Sequence, residues 1–125
     1  MDIESLYTAD RHSSGCKMRV LDDLGKETDF YITLAGQDSD IWLEANRKRQ
    51  NMLVSRALSK DKDEDDESEK ELMGNLKLIL DATLDWSGVD QEFSKEAALV
   101  LYQKAPYILD QCTAFIYNRA NFTIS

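Results

Sequence analysis

Between Lys17 and Ala35 the apolar residues alternate. In "KMRVLDDLGKETDFYITLA", Met18 and Val20, then Phe30, Ile32 and Leu34, sit at every second position around a polar turn, which is the period of a strand with one buried face. Asp22, Asp23 and Gly25 supply the turn chemistry, since aspartate favours early turn positions and glycine accepts positive φ. The pattern predicts a β-hairpin over 17–35. It also constrains the rest of the chain, because an isolated hairpin is marginal in water and its apolar face must be covered. The remaining sequence offers only helices to cover it.

After Gly36 the period changes. Asp38 or Ser39 can cap a helix over 39–58, with Ile41, Trp42, Ala45, Met52, Leu53 and Ala57 spaced for one side. Leu72, Met73, Leu76, Ile79, Leu80, Thr83 and Leu84 follow a 3–4 spacing that predicts an amphipathic core helix over 69–84. Ser94 can cap a third helix over 94–104. Ala105-Pro106 ends it, and Pro106 suits the first position of a last helix over 106–119, with Ile108, Leu109, Cys112, Phe115 and Ile116 inward. The expected fold class is therefore mainly α, a single small domain spanning 1–125 with about four helices and an N-terminal β-hairpin. The helical core is expected over 69–119, with a tail at 120–125.

A chain of 125 residues suffices for one core that buries roughly two-thirds of its unfolded surface. No apolar run approaches the roughly 20 residues needed to cross a bilayer, and the N-terminus is acidic where a signal peptide would be basic. These features predict a protein of the cytoplasm with no membrane partner. The formal charge of −9 opposes phosphate-backbone binding, so nucleic acid is not an expected partner. Lys60–Glu71, "KDKDEDDESEKE", carries eight acids and three lysines, a local charge of −5. It reads as a solvated linker, centred on 60–70, that merges into the next helix. Asp61, Asp63 and Asp65 imitate the start of an EF-hand loop, but Asp66 and Leu72 stand where glycine and the bidentate glutamate belong. No metal or other cofactor is expected.

Catalysis is hard to build from this inventory. His12, the only histidine, lies in the polar stretch "DRHSSGC", which reads as a flexible N-terminal segment rather than a placed base. Cys16 and Cys112 are far apart and read as free thiols. The partner-binding candidates are of three kinds. Arg47, Lys48, Arg49 and Arg56 form a basic collar, either a docking surface for an acidic partner or a solvated face that attracts the acidic run. Trp86, in "LDWSGVDQEFS", reads as a wedge at a junction between two helices, with Ser87 and Gly88 permitting a tight exit. Phe122 and Ile124 form an apolar tail that either folds back or meets another chain.

The succession "RVLDDLG", "DFYITLAGQDSD", "LDWSGVDQEFSKEAALVLYQKAPYILDQ" and "NRANF" resembles the tail assembly chaperones of long-tailed, lambda-like bacteriophages, from Arg19 to Phe122. The resemblance implies a non-catalytic, largely helical protein of the infected host's cytoplasm. Such a protein binds the tape measure protein, keeps it soluble, promotes tail tube assembly and is absent from the mature virion. It also implies contact with tail tube protein through a longer, frameshifted product. The hairpin and the open tail separately suggest self-association into an open spiral, since an element donated head to tail propagates unless the rotation closes. A reading of a different class is an acidic regulatory or anti-host protein that occupies a basic surface of a host factor.

Overall fold

A computed structural model of the chain describes residues 2–57 and 74–122, except for the side chains of Leu53, Arg56 and Ala57. The acidic run, the EF-hand-like aspartates and Ile124 lie outside the described residues. In chain order the elements are a 3-10 turn Ile3–Leu6, α1 Ala9–Ser14, β1 Cys16–Leu21, β2 Glu27–Leu34 and α2 Asp40–Ala57. Then come α3, helical over 74–82, β3 Thr83–Ser87, α4 Lys95–Lys104, α5 Pro106–Ile116 and a second 3-10 turn Arg119–Phe122.

The strands form one antiparallel sheet in the order β1-β2-β3. Met18 pairs with Ile32 across the first ladder, and Ile32 with Trp86 across the second. Directly paired residues share a face, so Met18, Val20, Ile32 and Leu34 lie together, at most 5% exposed, with Phe30 and Trp86 beside them. Lys17, Arg19, Tyr31 and Asp85 occupy the other face, where the Arg19 guanidinium lies 5.2 Å from the centre of the Tyr31 ring. This is the one-sided pattern of an antiparallel sheet covered by helices on a single face. Ile79, Ala82, Ala98, Tyr102, Ile108, Cys112 and Ile116 from α3, α4 and α5 join the sheet residues in the core.

The chain is therefore an α+β domain. It is not the mainly helical domain of four helices with a hairpin that the periodicity predicts, because the hairpin is two strands of a three-stranded sheet. The difference arises at 83–87. Thr83 and Leu84 extend the 3–4 spacing of the preceding helix, but Thr83 to Ser87 also alternates, and a short apolar run fits both periods. Pairing with β2 decides it: the Ala35 N–H donates to the Ala82 carbonyl at 2.8 Å, and the ladder continues to Ser87. α3 thus stops at 82 instead of 84, and Trp86 stands on a strand rather than in a helix junction.

Capping signals place the other helices. The Ser39 hydroxyl accepts from the Trp42 N–H at 3.1 Å, and Ser94 from the Ala97 N–H at 3.0 Å, each satisfying an N–H that the first turn leaves unpaired. Pro106 opens α5, which ends at Ile116, and Arg119–Phe122 turns back as a 3-10 helix.

The N-terminal segment is a second correction. Rather than a flexible stretch, "ADRHSS" is α1, and His12 is 1% exposed. Its backbone carbonyl accepts from the Gly36 N–H at 3.0 Å, and its Nδ1 from the Asp38 N–H at 2.9 Å. Phe122 stacks on the imidazole with ring centres 4.7 Å apart. Asp38 binds Arg119 at 3.1 Å and accepts from the Thr8 hydroxyl. Both ends of the described chain thus meet at the corner between β2 and α2.

Gly88 and Gly25 have nearly the same positive φ, +89° and +80°, but a Cβ on Gly88 would lie 1.8 Å from the Asp29 carbonyl oxygen, whereas one on Gly25 meets nothing within 4 Å. Gly25→Ala should cost about 1 kcal/mol of unfolding free energy from backbone strain alone. Gly88→Ala should cost more than about 2 kcal/mol, because β2 and β3 must also separate. Urea unfolding of the two variants measures the difference, and equal costs would contradict the close strand approach.

Candidate partner-binding groove

The sheet's β3 end and α4 enclose an apolar groove of about 580 Å³. Its sheet wall is Phe30 and Trp86, held by the Ile32–Trp86 register. Its helix wall is Ala97, Val100, Leu101 and Lys104, a 3–4 stripe on the side of α4 away from the buried Ala98 and Tyr102. Val89 closes one end, and Glu96 and Lys104 are its charged lining residues.

Trp86 is fixed rather than free. Its indole N–H donates to the Gln91 carbonyl at 2.8 Å, and its ring meets Phe30 and Phe93 edge-on with centres 5.5 and 5.3 Å apart. Such geometry adds to the burial of each ring. Beside this braced wall Val89 and Val100 remain 44% and 47% exposed, so the groove presents apolar surface to solvent.

Between the start of β3, α4 and α5 runs a buried polar chain. The Thr83 hydroxyl donates to the Ile79 carbonyl at 2.8 Å and therefore accepts the Tyr102 O–H at 2.8 Å, while the Cys112 thiol donates to the Tyr102 oxygen at 3.6 Å. Each group carries one proton, which fixes that direction. Burial pushes the Cys112 thiol up to about 12 and raises the Tyr102 phenol as well, so both stay protonated near neutral pH and neither is poised as a nucleophile. Their role is to fix α4 and α5 against the start of β3.

A second depression of about 460 Å³ lies between α2, the corner joining α3 to β3, and the start of α4, with Ile41, Lys48, Leu84 and Lys95 on its wall. Lys95 does unusual work there. Its ammonium donates to the carbonyls of Leu80, Asp81 and Thr83 at 2.7, 3.3 and 2.6 Å, supplying donors to acceptors that the end of α3 leaves free. Burial lowers its pKa, with Asp81 pulling the other way.

The sequence candidates are not brought together. Arg47 and Lys48 are exposed on α2, Arg47 pairs with Glu44 at 2.7 Å, and Lys48 and Arg49 both line a small cleft beside Gly74 and Lys77, apart from Trp86. Trp86 belongs to the sheet groove. Phe122 is 3% exposed against His12 and Phe115, so this residue packs back onto the domain. The Arg56 side chain and Ile124 lie outside the described residues. Comparison with protein-family models, curated proteins and solved structures returned no match. Among the described residues, no helix is long and apolar enough to cross a membrane.

Of the groove residues sequence reasoning singles out only Trp86: it places Phe30 on the hairpin's apolar face without linking the two, and it passes over Val89 and Val100. Only the β2–β3 pairing brings Phe30 to Trp86, and the signal for it was the alternation of Leu84 and Trp86 with Thr83, Asp85 and Ser87. Lys95→Met, which keeps the aliphatic stem but removes the donors, is expected to lower unfolding free energy by about 1–3 kcal/mol. Chemical denaturation checks it, and an unchanged midpoint would show that the three carbonyls do not depend on the ammonium.

Proposed function

We propose that this chain is a non-catalytic tail assembly chaperone of a long-tailed bacteriophage. It binds the tape measure protein in the host cytoplasm, keeps it soluble and promotes tail tube assembly around it. The observation that carries the reading is the groove of about 580 Å³, an apolar slot with exposed Val89 and Val100 on a fixed Trp86 wall. The sequence resemblance from Arg19 to Phe122 supports it independently of the geometry.

A tape measure protein is a very long helical chain with exposed apolar stripes. A slot between a helix and a sheet end suits one apolar face of such a helix, in the manner of helix-in-groove recognition. The slot is small, so each grip is weak, and many copies along one long partner supply the retention. A net charge of −9 keeps a coated complex soluble by mutual repulsion. Recruitment of tail tube protein belongs, in this proposal, to a longer product of the same gene.

Co-expression with the tape measure protein of the same genome tests this. The wild-type chain should move it into the soluble fraction and stay bound in molar salt, where the screening length falls to about 3 Å. Val100→Glu and Val89→Asp, both at exposed positions, should fold normally. Each should weaken retention about tenfold or more, because an unpaired carboxylate in an apolar contact costs more than about 1.4 kcal/mol. Equal solubility without this chain would overturn the proposal. Binding that vanishes with salt while tolerating both variants would favour an acidic protein occupying a basic surface instead.

A further inference from the structure

Away from the groove, His12 occupies a joint between three segments distant in sequence. Its Nδ1 lies 2.9 Å from the Asp38 nitrogen, and a backbone N–H can only donate. Nδ1 therefore carries the lone pair, and the docked imidazole is neutral with its proton on Nε2. Nε2 is 3.7 Å from the Asp38 carboxylate, too far for a direct hydrogen bond. The ring cannot swing away easily. Phe122 is stacked at 4.7 Å, and Gly36 approaches so closely that a Cβ there would lie 2.2 Å from Nδ1.

The charged groups acting on the ring come from each element packed on it: Arg11 from its own helix, Asp38 from the β2–α2 corner and Arg119 from the C-terminal 3-10 turn. The Asp38 carboxylate is already committed to Arg119 and to the Thr8 hydroxyl.

We propose that His12 is an acid-operated latch. A proton taken up from solvent at Nδ1 sets donor against donor at the Asp38 N–H, and the imidazole and Phe122 part. Ala9–Ser14 and Arg119–Phe122 then undock from the β2–α2 corner, while the sheet and α3 to α5 remain packed. The inference does not depend on which partner the groove takes.

The sign follows from the environment. Burial lowers the His12 pKa from its ordinary 6.5, Asp38 raises it, and Arg119 and Arg11 lower it further, with a net downward shift. The docked state therefore binds a proton less readily than a free imidazole does. Docking is strongest above 6.5 and weakens as pH falls below that value. Asp38 is held below its usual 3.8, chiefly by the Arg119 and Thr8 hydrogen bonds, so its carboxylate stays ionised through the histidine range, and its bonds to Arg119 and Thr8 are contacts that the undocking must break.

Nuclear magnetic resonance on the full chain between about pH 8 and about pH 5 tests the latch across the histidine range. The His12 ring should titrate with a midpoint below 6.5. The Phe122 ring signals should shift, and the Gly36 and Asp38 amides lose exchange protection, at that same midpoint, while the Ala35 amide bonded to Ala82 stays protected. His12→Asn, whose side-chain oxygen can take the Nδ1 position without titrating, should abolish the transition. A His12 midpoint at or above 6.5, a Phe122 ring that stays stacked through the titration, or an unchanged transition in His12→Asn would each overturn the proposal. Should His12→Asn fail to fold, coincidence of the His12 and Phe122 midpoints in the wild-type chain decides.

Discussion

The pairing of Thr83–Ser87 with β2 is the contact on which most of the remaining architecture rests. It ends α3 at 82 and leaves carbonyls at the helix end that Lys95 answers from the first turn of α4. It turns Thr83 inward, where Tyr102 and Cys112 complete a hydrogen-bonded chain that ties α4 and α5 to the sheet. It also sets Trp86 opposite Ile32 and beside Phe30. One ladder therefore terminates a helix, orients two more and builds the wall of the groove. Losing it would expose polar groups at every one of these places together, and such coupled losses do not add as independent contacts do.

A three-stranded sheet has two edges, and an unprotected edge invites another strand. On β1 the Gln111 amide bonds both backbone groups of Leu21, at 2.9 and 2.8 Å. On β3 the Asp85 carboxylate takes the Trp86 N–H at 2.8 Å, and Lys95 takes the Thr83 carbonyl. Each of these bonds removes a backbone group from those that an added strand could pair with. The molecule thus separates two properties that are easily confused: its apolar groove is open to side chains, while Leu21 on one edge and Thr83 and Trp86 on the other have backbone groups already bonded. That distinction favours gripping a helix, whose own backbone is satisfied, over adding a strand.

How much of this was legible in the residues depends on whether one period or two could explain them. Met18, Val20, Ile32 and Leu34 alternate over enough positions that only a strand fits, and Ser39, Ser94 and Pro106 mark helix starts by chemistry that acts within one turn. Leu76 to Trp86 carries both periods in succession, and nothing local says where one yields to the other. The deciding partner, β2, lies about fifty residues away in the chain, a separation that local pattern does not span. His12 was illegible for a related reason. A histidine among serines and a glycine has the composition of a mobile segment. Its burial depends on Gly36, Asp38 and Phe122, which come from two other regions. Phe122 itself was ambiguous until His12 was placed, since each covers the other. The groove required both the unseen strand and the correct side of α4, so only Trp86 among its residues stood out beforehand.

The groove and the latch are built on different physics. The groove wall is aromatic and aliphatic, braced by ring contacts and by the Trp86 indole bond, and the buried Tyr102 and Cys112 that fix α4 and α5 have pKa values raised by burial. The joint at His12 depends on one lone pair facing one N–H, and it gathers the N-terminal helix and the last described turn onto a corner remote from Trp86 in the fold's connectivity. Trp42 lies near that joint, 5.5 Å from Tyr117 at the end of α5, whereas α4 is held by Tyr102, Cys112 and Lys95. Loosening of Ala9–Ser14 and Arg119–Phe122 would therefore leave in place the contacts that hold α4 against the sheet, because none of the bonds fixing Trp86, Tyr102 or Lys95 runs through His12, Asp38 or Arg119.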